Sequence, residues 1–442
     1  MSKDIDIGPV SGFPEWSPRV RRTELRMLDA IRHSFELHGF LPIETPAVER
    51  MPVLTAKGGM QRQIYSLRKP SEDRQDAAEL GLHFDLTVPL ARYVAQRANE
   101  LTFPFRRFQM QKVWRGERAQ RGRFREFYQC DIDIIGSGSL DLLHDAEIVA
   151  VIASVFRGLG LPGFEIRLSN RMVLSTILAR WGIEDTDRFL RVIDKHGPQG
   201  ADAVAKALTD EEAPDELVSL LSKLLGLEDL DSVERLLTDA EVDPGGVHAL
   251  REVVEAAARL GVGRDELRVD LSIARGLDYY TGTVYETFLT GHEEWGSVCS
   301  GGRFDDLAGY FTDRSLPGVG VSIGLTRLLD LLVQSGLIEV ESSSPTRVLV
   351  AVQDRDALDS CLRAAALMRE AKIPTEVYMQ DRRLGDQLSY ASALDIPYAA
   401  IIGASEASGD FVTLRDLRSG TQEAVPLSGL VDRVMGASEE EG

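Results

Sequence analysis

Apolar residues in RVRRTELRMLDAIRHSFELH fall at Leu25, Leu28, Ile31, Phe35 and Leu37, a near-helical spacing that predicts an amphipathic helix over 19–38, closed by Gly39. The next stretch, FLPIETPAV, reads as extended chain, and LHFDLTVPLARYV is a strand candidate. FPFRRFQMQKVWRG and FREFYQCDIDIIG read as two antiparallel strands joined by a turn at AQRGR. From 172 to 265 the pattern changes to Leu- and Ala-rich helical stretches (DAVAKALTD, DELVSLLSKLLGL, GVHALREVVEAAARLG), broken by HGPQG and DPGG, which predicts a helical insertion. Sheet periodicity returns in LRVDLSIARGLDYYTGTVYETFL, with Thr283, Tyr285 and Thr287 on one face and Val284, Glu286 and Phe288 on the other. GVGVSIGLTRLLDLLVQSG then feeds a strand into a helix. A linker over 339–346, containing ESSSPT, leads to alternating strands and helices over 347–436, a small α/β domain with a mixed sheet, and 437–442 read as a disordered tail. The fold class is α+β.

Composition narrows the picture without changing it. A chain of 442 residues, 43% hydrophobic and 27% charged, is globular and long enough for two or three domains. No apolar run reaches bilayer length, and MSKDIDIGPV has neither a basic nor an apolar leader segment, so a soluble, cytoplasmic protein is expected. Cys130, Cys299 and Cys361 are far apart and no His cluster has ligand spacing, which argues against structural zinc and fits a reducing compartment. The net charge of −20 argues against non-specific coating of nucleic acid. Charge reverses locally, because residues 101–127 carry eight cations (Arg106, Arg107, Lys112, Arg115, Arg118, Arg121, Arg123, Arg125) against Glu117 and Glu126, or +6. Aromatics interleave this run, from Phe103 to Tyr128, and favour a site for phosphates and stacked bases over a solvated surface.

Two stretches carry candidate chemistry. In VWRGERAQRGRFREFYQCDIDIIG, Arg115 at a strand end offers a bidentate phosphate donor, Glu117 shares its face and can accept from an adenine amine, Arg121 and Arg123 reach toward outer phosphates, and Phe127 offers a face to the base; the alternative is a salt-bridged hairpin. In RGLDYYTGTVYE a polar cluster opens a strand, and either Arg275 and Asp278 pair on the surface or a ligand supplies the missing partners. Around these blocks the chain resembles the class II aminoacyl-tRNA synthetases. VWRGER with FREFYQCDIDIIG resembles motif 2 in its histidyl form, RGLDYYTGTVYE resembles the histidyl-tRNA synthetase signature, and GVGVSIGLTRLL is similar to motif 3. LHGFLPIETPAVE, with Pro46, is similar to motif 1, while SVCSGGRFDDLAG and LHFDLTVPLAR match further family blocks. Together they span most of residues 20–335, and the C-terminal part resembles the family's anticodon-binding domain.

The resemblance implies an antiparallel catalytic sheet flanked by helices over 1–171 and 266–338, interrupted by the insertion at 172–265. It implies histidine activation with ATP and Mg²⁺, no metal being held by protein side chains alone, and charging of tRNA(His). It also implies a homodimer through motif 1, with residues near 25 to 50 buried between subunits. By the same resemblance Arg115 and Arg275 stabilise the transition state, and Arg115, Glu117, Arg123, Phe127 and Arg327 bind ATP. Asp85, Thr87, Gln129, Asp133, Arg275, Tyr279, Tyr280, Gly301 and Gly302 form the histidine pocket, with Asp133 and Tyr280 reading the imidazole. Gly318, Gly320 and Gly324 are read as permitting close packing rather than cradling phosphate, since no Gly-Lys-Ser/Thr follows, and His83 as structural. The sequence departs from the family in having Asp85 where many bacterial members carry Glu, and SGFPEWSP where a Gly-x-x-Asp pattern is usual. Two other readings stand beside this one: a paralogue that activates an amino acid without charging tRNA, and the regulatory subunit of ATP phosphoribosyltransferase.

Overall fold

A repeat of Thr23, Met27, Ile31 and Phe35 at four-residue spacing gives helix α1 (Pro18–Leu37) its buried stripe, and Gly39, at φ 75°, turns the chain out of it. Leu25 and Leu37, expected on that stripe, are exposed instead, because their spacing places them off the four-residue row. The computed structural model describes residues 6–56, 61–69, 79–161, 163–227, 229–274 and 280–439. They fall into two compact units, Met1–Glu15 with Arg26–Ile338 and Trp16–Leu25 with Glu339–Gly442.

The larger unit continues with β1 (Leu41–Pro42), β2 (Val48–Arg50), α2 (Met51–Thr55), β3 (Ser66–Leu67) and β4 (Leu80–Leu82); β2, β4 and β3 form a small sheet. Only β4 is strand in the segment read as LHFDLTVPLARYV, for α3 (Thr87–Arg97) takes the rest. Asp85 Oδ1 accepts from Val88 N at 3.0 Å, Pro89 stands in the first turn where its missing N–H is tolerated, and Val88, Leu90, Ala91 and Val94 make a helical apolar stripe. There follow β5 (Phe105–Trp114), β6 (Glu126–Ile135), α4 (Leu143–Gly158) and β7 (Phe164–Asn170). Helices α5 (Arg171–Arg180), α6 (Thr186–His196), α7 (Ala201–Asp210), α8 (Asp215–Leu224), α9 (Leu230–Asp239) and α10 (Gly245–Arg259) come next, and then β8 (Leu267–Val269), β9 (Thr283–Leu289), β10 (Cys299–Phe304), β11 (Gly318–Gly324) and α11 (Leu325–Gln334).

The main sheet has eight strands in the order β1-β5-β6-β11-β10-β9-β7-β8. Its interior is antiparallel, and the edge pairs β1/β5 and β7/β8 are parallel, so the expected antiparallel sheet is mixed at both margins. Strand alternation gives it two unlike faces. One carries Cys130, Ile132, Ile134, Val319, Val321 and Ile323, all buried on the side where α4 packs against β7 and β11. Each such aliphatic contributes about 1.5–3 kcal/mol of burial. The other face is polar at its centre.

In the smaller unit β12 (Val348–Val352), α12 (Leu358–Glu370), β13 (Thr375–Val377), α13 (Leu384–Ala393), β14 (Tyr398–Ile402), α14 (Ala404–Gly409), β15 (Phe411–Asp416), β16 (Gln422–Pro426) and α15 (Leu430–Glu439) build a five-stranded sheet, β13-β12-β14-β15-β16. Its first three strands are parallel and the last two antiparallel, the mixed sheet expected. The linker is anchored, with Arg22 Nη1 donating to Ser342 O at 2.6 Å and Ser344 O at 2.8 Å, and Thr23 Oγ1 accepting from Glu341 N at 2.9 Å. Helix α15 runs through Glu439 into the stretch read as a disordered tail.

Candidate active site

Register lines up the polar face row by row. Across β5, β6, β11 and β10 one row reads Arg107, Asp133, Gly320, Gly302, and the next reads Gln109, Asp131, Ser322, Ser300. Asp133 lies over β11: a Cβ at Gly320 would stand 2.1 Å from Asp133 Oδ1. A Cβ at Gly302 would stand 2.9 Å from Tyr280 Cδ1, so the Tyr280 ring covers that position. Asp133 and Tyr280 therefore lie over a glycine floor from two neighbouring strands, β11 and β10, about 5 Å apart. Gly301, on the other face, allows the strands to meet, since its Cβ would fall 2.1 Å from Gly320 O. Neither Gly301 nor Gly302 is in a turn. Gly318 clears the Phe304 ring, while Gly324 has only Val298 O near, at 3.7 Å.

Asp85, 2% exposed, sits at the start of α3 with Thr87 one turn position on, and acts electrostatically on both Asp131 and Asp133. Gln129 Nε2 donates to Ser322 Oγ at 2.7 Å, and Ser322 in turn bonds Asp131. Gln129 Oε1 and Asp131 Oδ1 are buried without a hydrogen-bond partner among the described residues, two acceptors facing a place for a donor. Burial pushes Asp133 up to about 7 and Asp131 up to about 6, with Arg107 pulling each the other way. Arg275 and Tyr279 lie outside the described residues.

The arginine-rich hairpin is folded on itself. Arg115 stacks on Phe127, 5.1 Å from the ring centre, and its Nε donates to Phe84 O at 2.9 Å. Glu117 pairs with Arg123, and Arg327 holds Gly122 O and Ser297 O, each at 2.9 Å, which ties the hairpin loop to the loop before β10. Arg121, expected near outer phosphates, instead lies 4.0 Å over Trp295. Several cations of the +6 run have partners, some from outside it: Arg106 pairs with Glu147 at 2.6 Å, Arg107 with Asp133 at 2.6 Å, Lys112 with Glu126 at 2.6 Å, and Arg125 Nε donates to Glu117 O at 2.8 Å. Of the residues read as an ATP site, Arg115 meets Phe127, Glu117 meets Arg123, and Arg327 bonds to the loop next to Arg123.

The sequence singles out neither Asp131 nor Ser322, and Arg107 stands in it only as one member of a basic run read as a site for phosphates and stacked bases. The signal was present in the two-residue period Gln129, Asp131, Asp133, which places all three on one face. His83 is structural as expected: it is fully buried, bonded through Nε2 to Lys112 O at 2.7 Å, stacked on Trp114 and held below its ordinary pKa by burial. All three cysteines are buried and none forms a disulfide. No described helix is long and apolar enough to cross a membrane.

Comparison with known proteins places these blocks. The family model for histidyl-tRNA synthetase matches residues 12–328, and an anticodon binding domain matches 347–436. The histidine–tRNA ligase of Clostridium tetani (strain Massachusetts / E88) is 41% identical over 446 aligned residues, covering 99% of this chain and 100% of the relative. That of Thermobifida fusca (strain YX) is 46% identical, covering 88% and 90%. The crystal structure of histidyl-tRNA synthetase from Nostoc sp. PCC 7120 superposes with a TM-score of 0.89 at 38% identity, over 98% of this chain and 100% of that one. A Bacillus halodurans structure described as an ATP phosphoribosyltransferase regulatory subunit/histidyl-tRNA synthetase superposes with a TM-score of 0.74 at 20% identity, a likeness of fold alone. With relatives this similar end to end, and the matched segment containing every strand of the polar slot, the chain belongs to the histidyl-tRNA synthetase family.

Proposed function

We propose that this chain activates L-histidine with ATP to histidyl-adenylate and pyrophosphate, and then transfers the histidyl group to the 3′ end of tRNA(His). The observation that carries the reading is the slot between Asp133 and Tyr280 over Gly320 and Gly302. An imidazole presents one nitrogen to a carboxylate and the other to a hydroxyl, each at about 2.8 Å. Its N–H donates to Asp133 and the Tyr280 hydroxyl meets the other nitrogen, so a side chain lacking those nitrogens leaves buried polar groups unpaired. Asp85, Thr87 and Gln129 take the α-ammonium group. The amino acid carboxylate attacks the α-phosphorus of ATP, the bond to the β-phosphate oxygen breaks, and pyrophosphate leaves; Arg115 and Arg275 neutralise the charge that gathers there. Glu117, Phe127, Arg123 and Arg327 orient the nucleotide. The terminal ribose hydroxyl of tRNA then displaces AMP from the carbonyl. Among the described residues no three acidic, His or Cys side chains converge as cation ligands. Mg²⁺ would bind with the ATP phosphates and supply charge neutralisation there.

The same reading takes 1–171 with 266–338 as the catalytic domain, 172–265 as an insertion toward the acceptor arm, 347–436 as the anticodon-binding part, and the cytoplasm as the place of action. It also makes the chain a homodimer through motif 1, supported by the exposed apolar side chains Leu37, Leu41, Val48 and Leu80. ATP–pyrophosphate exchange with each amino acid tests the first step, repeated on Arg275→Ala, and charging of tRNA(His) tests the second. Exchange with histidine alone, lost in the variant and followed by charging, is expected. Exchange without charging would make the chain an amino-acid-activating paralogue, and no exchange would leave a regulatory role.

A further inference from the structure

Alternation along β5 sends neighbouring arginines to opposite faces of the sheet. Arg106 goes to Glu147 and His38 O on the helix side, while Arg107, 0% exposed, goes to the polar side. There its Nη2 lies 2.6 Å from Asp133 Oδ2, yet Nε, Nη1 and Nη2 all lack an aligned hydrogen-bond partner among the described residues. A guanidinium taken wholly out of water and left without aligned partners is costly, and a buried ion pair is weak evidence for a stabilising role. Its place in the row says what it does instead. Arg107, Asp133, Gly320 and Gly302 stand in register, and the carboxylate leans away from β5 over Gly320 toward Tyr280.

We propose that Arg107 is a positioning residue of the histidine pocket, which holds the Asp133 carboxyl group aimed across the glycine floor so that it accepts the imidazole N–H. The proposal rests on the assignment of Asp133 to the imidazole. The groups acting on Asp133 are Arg107 from β5, Asp131 from its own strand and Asp85 from the start of α3, while β11 presents only Gly320. Two of these three are like charges, so Arg107 alone among them opposes burial, which already pushes Asp133 up to about 7. Without it, nothing among these groups opposes burial, and the balance at neutral pH moves toward the protonated form, which cannot serve as a charged acceptor.

The test is histidine-dependent ATP–pyrophosphate exchange between about pH 6 and about pH 9, where the substrate's own imidazole and α-ammonium titrations are the same for every variant and cancel in the comparison. Wild type, Arg107→Met, Arg107→Lys, Asp133→Asn and the Arg107→Met/Asp133→Asn double variant are compared. Arg107→Met should move the midpoint of kcat/KM for histidine up by about one unit or more, a loss of about fivefold or more at neutral pH that recovers in alkali. KM for ATP should stay unchanged, and Arg107→Lys, which keeps the charge, should restore the wild-type midpoint. If Arg107→Met does not fold, the double variant, which leaves no unpaired charge, carries the test: its kcat/KM for histidine should equal that of Asp133→Asn. An unshifted midpoint in folded Arg107→Met, or a double variant worse than Asp133→Asn, overturns the proposal. A wild-type chain that gives no histidine exchange would instead remove the functional reading beneath it.

Discussion

Replacing Gly320 with alanine puts a methyl group where the Asp133 carboxylate lies. The new Cβ would stand 2.1 Å from Asp133 Oδ1, 2.6 Å from its Cγ and 2.6 Å from Ile132 O. Carbon atoms rest at about 3.5–4.0 Å, so something must move by an ångström or more. Ile132 O cannot easily do so, because β6 is paired on both sides and Ile132 is fully buried. The carboxylate swings away instead. Losing a hydrogen bond to a charged group costs about 1.5–3 kcal/mol, which raises KM for histidine by about 10- to 150-fold and leaves KM for ATP alone. Crowding also costs about 1–3 kcal/mol of stability. Gly318→Ala is the matched control, on the same strand and face: its Cβ would meet the Phe304 ring at 2.3 Å, with no carboxylate among the nearest atoms. It should lose similar stability without the change in histidine KM. Pyrophosphate exchange titrated in histidine and in ATP, beside urea unfolding of both variants, separates the two effects. Equal histidine KM values for Gly320→Ala and Gly318→Ala would refute the placement of Asp133 against the substrate.

Asp131 and Asp133 titrate at about 6 and about 7 in the folded chain against 3.8 for an ordinary aspartate, so between those limits the native state holds protons that the unfolded state has released. This pair's contribution is therefore greatest in acid and is lost as pH rises from about 4 to about 7; unfolding midpoints against pH should fall less steeply for Asp131→Asn/Asp133→Asn than for wild type, and parallel curves would refute it. Arg327→Met removes the two 2.9 Å bonds that tie Gly122 to Ser297, and at about 1.5–3 kcal/mol for such bonds KM for ATP should rise by about tenfold or more while histidine KM holds, read in the same exchange assay. Arg303→Leu leaves Asp145, whose side chain is 0% exposed and whose partner stands at 2.6 Å, without its cation; urea unfolding should show a loss of about 3–5 kcal/mol, largely recovered in Arg303→Leu/Asp145→Leu, and a single variant as stable as wild type would count against the pair. Leu41→Glu places a charge among the exposed apolar residues of motif 1, and light scattering should show the dimer dissociating, whereas an unchanged mass would place the interface elsewhere.

Where local pattern and burial agree, the sequence is easy to read. Helix α1 announces itself through period and Gly39, and β5, β6, β11 and α11 stand where alternation and glycine place them. Helix α3 was hidden because DLTVPLARYV is rich in strand formers, and only the bond from Val88 N to Asp85 and the tertiary packing of Leu90 and Val94 select helix. Charge was the least legible property. Eight cations in a row look like one basic surface, but strand alternation and individual partners divide them between two faces of a sheet and a loop, and Arg107 ends wholly buried. No count of residues within a segment can give that division, because partners such as Glu147 come from elsewhere in the chain.

The two faces of the main sheet explain why the site can hold so many unpaired acceptors. On the α4 side, Ile132, Ile134, Val319, Val321 and Ile323 are buried among helices, and Arg303 closes onto Asp145 with Tyr285 donating to Asp145 O at 3.1 Å. That side carries the stability. It leaves Gln129, Asp131 and Asp133, on the alternate positions of the same strand, in a pocket where two cations among the described residues, Arg107 and Arg115, act on the three acids Asp85, Asp131 and Asp133. A ligand with an ammonium group and a ring N–H supplies the cation and donors that this arrangement lacks, and the glycines of β10 and β11 leave it the room. The residues that would be hardest to justify by stability are those the substrate reading needs.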